Sequence, residues 1–214
     1  MMERSNFIWL TVALLGMMIA GGIAEDLPDN WAVRTLEWTS IGMMLISLMS
    51  LRTHRRWAKR IVVLTGFMLI FVVARDVTKN SYIEYVYLLT LLMFFCMASW
   101  IVGRQVLLTG TVDVNKIVGS VALYIMIGLI WSLLYTLLLE YQPDAMKGFE
   151  AGMWYQNMST MTYFSFVTLT TLGYGDISPL TSTAQTLVVI EAITGMFYLA
   201  IIVASLVGSL KNKV

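Results

Sequence analysis

The residues Thr170 to Asp176 read TTLGYGD, with Gly173 and Gly175 on either side of Tyr174. Glycine takes positive φ at little cost, and a backbone that alternates between left- and right-handed conformations turns successive carbonyls toward one side. The product is a row of backbone oxygens, with the Thr171 hydroxyl at its inner end. Such a row coordinates a cation through neutral dipoles and replaces its hydration shell. A second chemical feature is Glu191, one carboxyl inside the apolar run Thr186 to Leu210. An ionisable group in that setting is expensive to leave charged and unpaired, so it marks a function or a buried partner.

The surroundings decide what these residues face. The chain has 214 residues, of which 58% are hydrophobic and only 13% charged, and its mean hydropathy is +0.77. One soluble core cannot hide that much apolar surface, so the chain belongs in a membrane. A formal net charge of +1 gives no footing for a nucleic-acid partner. Cys96 stands alone in an apolar run, which excludes an intrachain disulfide and fits a core residue. No set of residues suggests an enzyme or a resident cofactor.

Hydrocarbon about 30 Å thick needs roughly 20 helical residues per crossing, and the apolar runs predict six. They begin near Phe7, Trp31, Ile61, Tyr85, Ile117 and Thr181. The first outlasts the roughly 7 to 15 apolar residues of a signal core and is read as a retained span. Arg52, Arg55, Arg56, Lys59 and Arg60 crowd the second connection without an acid, whereas Glu25, Asp26 and Asp29 lie in the first and Glu140, Asp144, Lys147 and Glu150 in the fifth. Positive charge is retained in the cytoplasm, so both termini are expected inside. The expected fold is an all-α membrane protein of six transmembrane helices plus a re-entrant pore helix and filter loop. Its divisions are a peripheral four-span domain at 1–103, a cytoplasmic linker at 104–116, and a two-span pore domain at 117–214.

Between the last two spans, the apolar, hydroxyl-rich stretch 157–170 is expected as a half-helix that starts at a cap from Asn157 or Ser159. At about 1.5 Å per residue it reaches only some 20 Å, too short to cross and return. Non-helical backbone beyond it, at 171–176, survives at membrane depth only where protein, water or ions satisfy its carbonyls. TTLGYGD resembles the selectivity filter of the tetrameric potassium channel family: threonine, a branched apolar residue, Gly-Tyr-Gly and aspartate. The resemblance covers Ile117 to Leu210. It implies a homotetramer in which Thr171, Leu172, Gly173 and Tyr174 form potassium sites, with the Tyr174 ring turned into the surrounding protein. Thr170, Gly175, Asp176, Tyr163 and Val167 would support that filter. Leu172 stands where valine or isoleucine is commoner, and Tyr163 and Phe164 replace the usual tryptophan pair. Tyr163 can hydrogen-bond Asp176, and Val167 occupies a position where some relatives carry a glutamate.

On the last span, Gly195 falls where that family has the hinge glycine of its inner helix; close helix packing is the competing reading. Met196, Leu199, Val203 and Val207 share one helical stripe, which suits either a pore lining that gates by dewetting or ordinary packing. For Glu191 two readings stand, a cavity-facing ring of carboxyls or a rear-facing group bonded to Thr162 or Ser165, and the second is favoured. Voltage sensors repeat arginine every third residue along the fourth span. Only Arg104 lies at the inner end of this one, so steep voltage gating is not expected. His54, within the basic connection, could sense pH, but a solvated histidine in a phosphate-facing cluster is the favoured reading. With four residues after Leu210, no appended ligand-binding module is expected.

These readings converge on passive potassium conduction across a cell membrane, in a prokaryote by size and style of pore. The alternatives are a weakly selective monovalent cation channel and a non-conducting signalling or scaffold subunit. Besides its own copies, the partners expected are lipid and the permeant ion.

Overall fold

The computed structural model describes residues 7–25, 28–50, 55–78, 81–107 and 113–211. Within them the elements are helical apart from a short 3₁₀ turn and two two-residue strands. In chain order they are α1 (Phe7–Glu25), α2 (Asp29–Ser50), α3 (Arg55–Thr78), α4 (Ser81–Leu107), α5 (Val114–Tyr141), β1 (Met146–Lys147), α6 (Trp154–Leu169), β2 (Ser178–Pro179) and α7 (Ser182–Lys211). Among the described residues, three stretches are long and apolar enough to cross a membrane: Glu84–Val106, Val114–Tyr141 and Ser182–Ser205. The apolar stretch Phe7–Ile23 is shorter. α2 carries Arg34 and Glu37, and α3 carries charges at both ends, which shortens their uninterrupted apolar runs.

The chain divides into two compact units, Met1–Thr109 with Asp113–Met126, and Ile127–Val214 with Gly110–Val112. The division falls inside α5, which Asp113 starts by accepting the Lys116 amide at 2.9 Å, a side-chain N-cap. Of the expected linker, 104–107 continue α4 and 114–116 already belong to α5, while 108–112, like His54 and Asp26, lie outside the described residues.

In the first unit, α1 lies along the start of α5. The Phe7 amide donates to Asn115 Oδ1 at 3.0 Å, and Thr11 Oγ1 reaches the Val118 carbonyl at 3.3 Å. Gly119 admits this approach, because a Cβ there would meet the Phe7 ring at 2.7 Å and Val106 at 2.9 Å. Met43, Met44, Met68, Leu88, Leu91, Phe94 and Phe95 are buried between α2, α3 and α4. Ser40 and Tyr87 hydroxyls meet at 2.9 Å, closing a polar contact inside that apolar packing.

The second unit packs the latter part of α5, α6 and α7 together. β1 pairs antiparallel with β2, Met146 opposite Pro179 and Lys147 opposite Ser178, and the Leu180 amide adds a bond to the Ala145 carbonyl at 2.8 Å. This small ribbon ties the loop after α5 to the start of α7. The segment between α6 and β2, residues 170–177, is thereby held at both ends.

Candidate functional site

The helix that aims the TTLGYGD loop is α6, 16 residues long and therefore about 24 Å, less than one bilayer crossing. It begins at Trp154, three residues before the expected start. The Gln156 side chain accepts the Met153 amide at 3.0 Å, and Asn157 clasps Gly152 through two bonds, accepting its amide and donating to its carbonyl, each at 3.0 Å. Asn157 thus braces the chain before the helix from a position within its first turn, rather than standing ahead of it as the cap. Ser159 lies well inside the helix. The helix ends at Leu169, and the Thr170 hydroxyl turns back to the Phe166 carbonyl at 2.6 Å.

Beyond Thr170, every second residue has positive φ: Thr171 at 62°, Gly173 at 57° and Gly175 at 79°. An added Cβ at Gly173 or Gly175 would meet no atom of this chain within 4 Å. The backbone conformation, and not crowding within the chain, is what selects glycine there. Thr171 is the non-glycine member of the series. A β-branched residue in the left-handed region is strained, by about 1–3 kcal/mol, and such strain concentrates at functional sites. Its amide is held by Thr168 at 2.9 Å, while the Val167 carbonyl accepts the amides of Leu172 at 3.0 Å and Gly173 at 3.2 Å. Val167 therefore grips the loop through its main chain; its side chain is buried.

The outer end of the loop is fixed separately. Tyr163 donates its hydroxyl to Asp176 Oδ2 at 2.6 Å, and Asp176 Oδ1 accepts the Ile177 amide at 3.0 Å. The Tyr163 bond, more than any other influence, holds the Asp176 carboxyl below the usual carboxylate range. Gly148, at φ 99°, lies so close to the Asp176 carbonyl that no side chain fits between them. Within the chain, Leu172 is 55% and Tyr174 66% exposed, so most of the Tyr174 surface is left uncovered by its own chain.

Residues 121–212 match the family model described as an ion channel. The match covers less than half of the chain and supports an ion-channel function. With the apolar helices it supports a multi-pass membrane protein and an oligomer through which ions pass, a transporter-type protein rather than an enzyme. No curated protein matches the chain.

Inside the matched ion-channel segment, Glu191 is fully buried. It accepts Tyr135 Oη on Oε2 at 2.6 Å and meets Ser165 Oγ with Oε1 at 2.5 Å. Ser165 Oγ also reaches the Gly128 carbonyl at 2.9 Å. One carboxyl thus joins α5, α6 and α7 behind the loop. Thr162, the other partner considered, bonds instead to the Ser132 hydroxyl at 2.6 Å and the Met158 carbonyl at 2.7 Å. Phe164 is buried with its ring edge-to-face on Tyr135, centroids 5.2 Å apart. Phe166 seats on Gly128, where a Cβ would meet its ring at 2.6 Å.

Gly195 of the channel segment packs directly on the carbonyl end of α6: a Cβ would fall on the Leu169 oxygen and lie 3.0 Å from its carbonyl carbon. Close approach is thus a demonstrable role for this glycine. Met196, Leu199 and Val203 are 57%, 46% and 58% exposed, but so are Phe197 and Ile201 on other faces, at 60% and 52%. Exposure in one chain does not single out the stripe, and the side chain of Val207 lies outside the described residues.

Sequence reasoning missed Tyr135, Gly128, Ser132 and Gly148. The first three had a signal: with Thr136 they form a stripe of small and hydroxyl-bearing residues one turn apart in an otherwise apolar span, the pattern of a helix that hydrogen-bonds its neighbour. Gly148 had none beyond being a glycine in a loop.

Proposed function

We propose that this chain supplies one quarter of a potassium-selective channel that conducts passively and without steep voltage dependence. The carrying observation is the alternation of positive φ at Thr171, Gly173 and Gly175, in a loop delivered by a helix too short to cross the bilayer. In this reading the carbonyls of Thr171, Leu172, Gly173 and Tyr174 bind potassium in succession, with the Thr171 hydroxyl completing the inner site. One chain offers only one side of each ion. Four copies about an axis close the oxygen cages and cover the exposed Leu172 and Tyr174 rings of side chains. Thr170, Val167 and Gly175 hold the row, while Tyr163 and Asp176 pin its outer mouth. The six spans include α2 and α3, and the basic connection before α3 places both termini in the cytoplasm of a prokaryotic cell. Met196, Leu199, Val203 and Val207 line the passage below the filter. The sequence of α4 lacks the arginine repeat a sensor needs, so the pore opens without one.

The test is uptake of radioactive rubidium and sodium into liposomes holding the purified protein, with and without barium, alongside Gly173→Ala. Alanine in the left-handed region costs about 1–2 kcal/mol, repeated in each copy. Rubidium uptake without sodium, blocked by barium and lost in the variant, is the expected result. Equal uptake of both ions would replace this reading with a weakly selective pore. No uptake, with unchanged assembly in the variant, would replace it with a scaffold.

A further inference from the structure

Two contacts fasten the end of α6 to α7, at matching positions one turn apart on both helices. Gly195 takes the Leu169 carbonyl end, and one turn earlier on each helix Glu191 meets Ser165. From α5, the Ser132 hydroxyl meets Thr162 of the same α6, and Tyr135 meets Glu191, each at 2.6 Å. Leu169 is the last residue of α6 and lies two residues before Thr171. These contacts therefore set the rotation and depth from which the loop departs.

Each oxygen–oxygen contact needs one proton. A serine, threonine or tyrosine hydroxyl carries one, a carbonyl none and an ionised carboxylate none. At Ser132 and Thr162 the supply suffices: Thr162 donates to the Met158 carbonyl at 2.7 Å, and Ser132 donates to the Thr162 oxygen. Around Glu191 it does not. Three contacts stand there: Tyr135 Oη with Glu191 Oε2 at 2.6 Å, Ser165 Oγ with Glu191 Oε1 at 2.5 Å, and Ser165 Oγ with the Gly128 carbonyl at 2.9 Å. The two hydroxyls supply two protons. With Glu191 ionised, Ser165 leaves one of its two neighbours facing a lone pair at hydrogen-bond distance. Distances of this length suit a carboxylate or a carboxylic acid alike, and the proton count separates them. Burial agrees with the count. Glu191 is fully buried within its own chain. The groups facing it are Tyr135 from α5 and Ser165 from α6, and among the described residues no cation stands against it. A charge so placed is costly, whereas a neutral acid with both oxygens bonded is not.

We propose that Glu191 is a positioning residue that works as an uncharged carboxylic acid: Oε2 accepts from Tyr135, Oε1 donates to Ser165, and Ser165 donates to the Gly128 carbonyl. All three bonds then run in one direction, from α5 through α7 and α6 and back to α5, an order in which each strengthens the next. The last turn of α6 is fastened without a negative charge behind the loop. This deepens the channel reading, in which α6 delivers the row of carbonyls.

The experiment is infrared spectroscopy of the full-length protein in liposomes at neutral pH, where an uncharged carboxyl shows a carbonyl stretch above the amide region and an ionised one does not. The expected result is an acid band in the difference between the parent and Glu191→Gln. That band should move to higher frequency in Tyr135→Phe, which frees its carbonyl oxygen, and should be displaced in Ser165→Ala, which removes the acceptor of its proton. No acid band in the difference, or a band unmoved in either hydroxyl variant, overturns the proposal. Should Glu191→Gln fail to assemble, the difference between the parent and Ser165→Ala decides, with Glu191 still in place: a displaced acid band supports the proposal and a flat difference overturns it. The band is read whether or not the protein conducts, so its absence is distinguishable from a failure of rubidium uptake.

Discussion

Replacing Gly195 by alanine separates two physical roles by the sign of the effect. The Cβ would fall on the Leu169 carbonyl oxygen and within 3.0 Å of its carbon and 3.1 Å of its Cα. All three atoms are backbone, so no side-chain rotation relieves the contact. Carbon atoms in contact sit about 3.5–4.0 Å apart, so α7 and the end of α6 must separate by on the order of 1 Å. Overpacking of this kind costs about 1–3 kcal/mol, against at most about 1 kcal/mol regained from alanine's helix propensity. The expected result is a net destabilisation of about 1–2 kcal/mol per chain, together with a disturbed loop, since Leu169 lies two residues before Thr171. Unfolding of the full-length protein in detergent, followed by tryptophan fluorescence against denaturant, measures it. A glycine retained only as a bend in the helix predicts the reverse: alanine would stiffen α7 and leave stability equal or greater. A variant as stable as the parent would refute the packing argument.

Three further outcomes follow from the same geometry. Ser165→Ala and Tyr135→Phe each remove one hydroxyl from buried Glu191 and should each lower stability by about 1–3 kcal/mol in the same unfolding assay, with non-additive effects in the double variant because both act on one carboxyl. Tyr163→Phe should raise the pH at which Asp176 protonates toward the ordinary 3.8. Because the folded value is depressed, the stabilisation from ionised Asp176 is present above that ordinary value and disappears as pH falls through the folded one, so the variant should differ from the parent only in acid, read from carboxyl NMR of labelled aspartate. Gly148→Ala forces a side chain against the Asp176 carbonyl at φ 99° and should cost about 1–3 kcal/mol, while Gly22→Ala, in helix α1 where nothing lies within 4 Å, should be neutral or stabilising by up to about 1 kcal/mol in the same measurement.

What could be read from the residues was what depends on short-range chemistry. The spacing of Gly173 and Gly175 announces an alternating backbone because glycine is the residue that tolerates it. The short apolar stretch before them announces a helix that does not cross. The Tyr163–Asp176 bond was legible only through the resemblance, since Tyr163 stands where that family has a tryptophan and its hydroxyl can donate to the aspartate. Thr171 was not legible as a third left-handed position, since threonine disfavours that region and only the folded loop imposes it. The helix start was displaced to Trp154 because Gln156 and Asn157 cap from inside the first turn, a geometry that a search for a residue ahead of the helix overlooks. Glu191 could be paired with Ser165, but Tyr135 is 56 residues away, and such a contact is fixed by helix rotation rather than by spacing. Thr162 lost that contact to Ser132 for the same reason.

The most direct measurement of the central claim is anomalous scattering from crystals of the full-length protein soaked in thallium, an electron-dense substitute for potassium. The account predicts a column of thallium peaks on a fourfold axis, within coordination distance of the carbonyls of Thr171, Leu172, Gly173 and Tyr174, and reduced by competing potassium but not by sodium. Thallium absent from that column, or displaced from it equally by sodium and potassium, would contradict it.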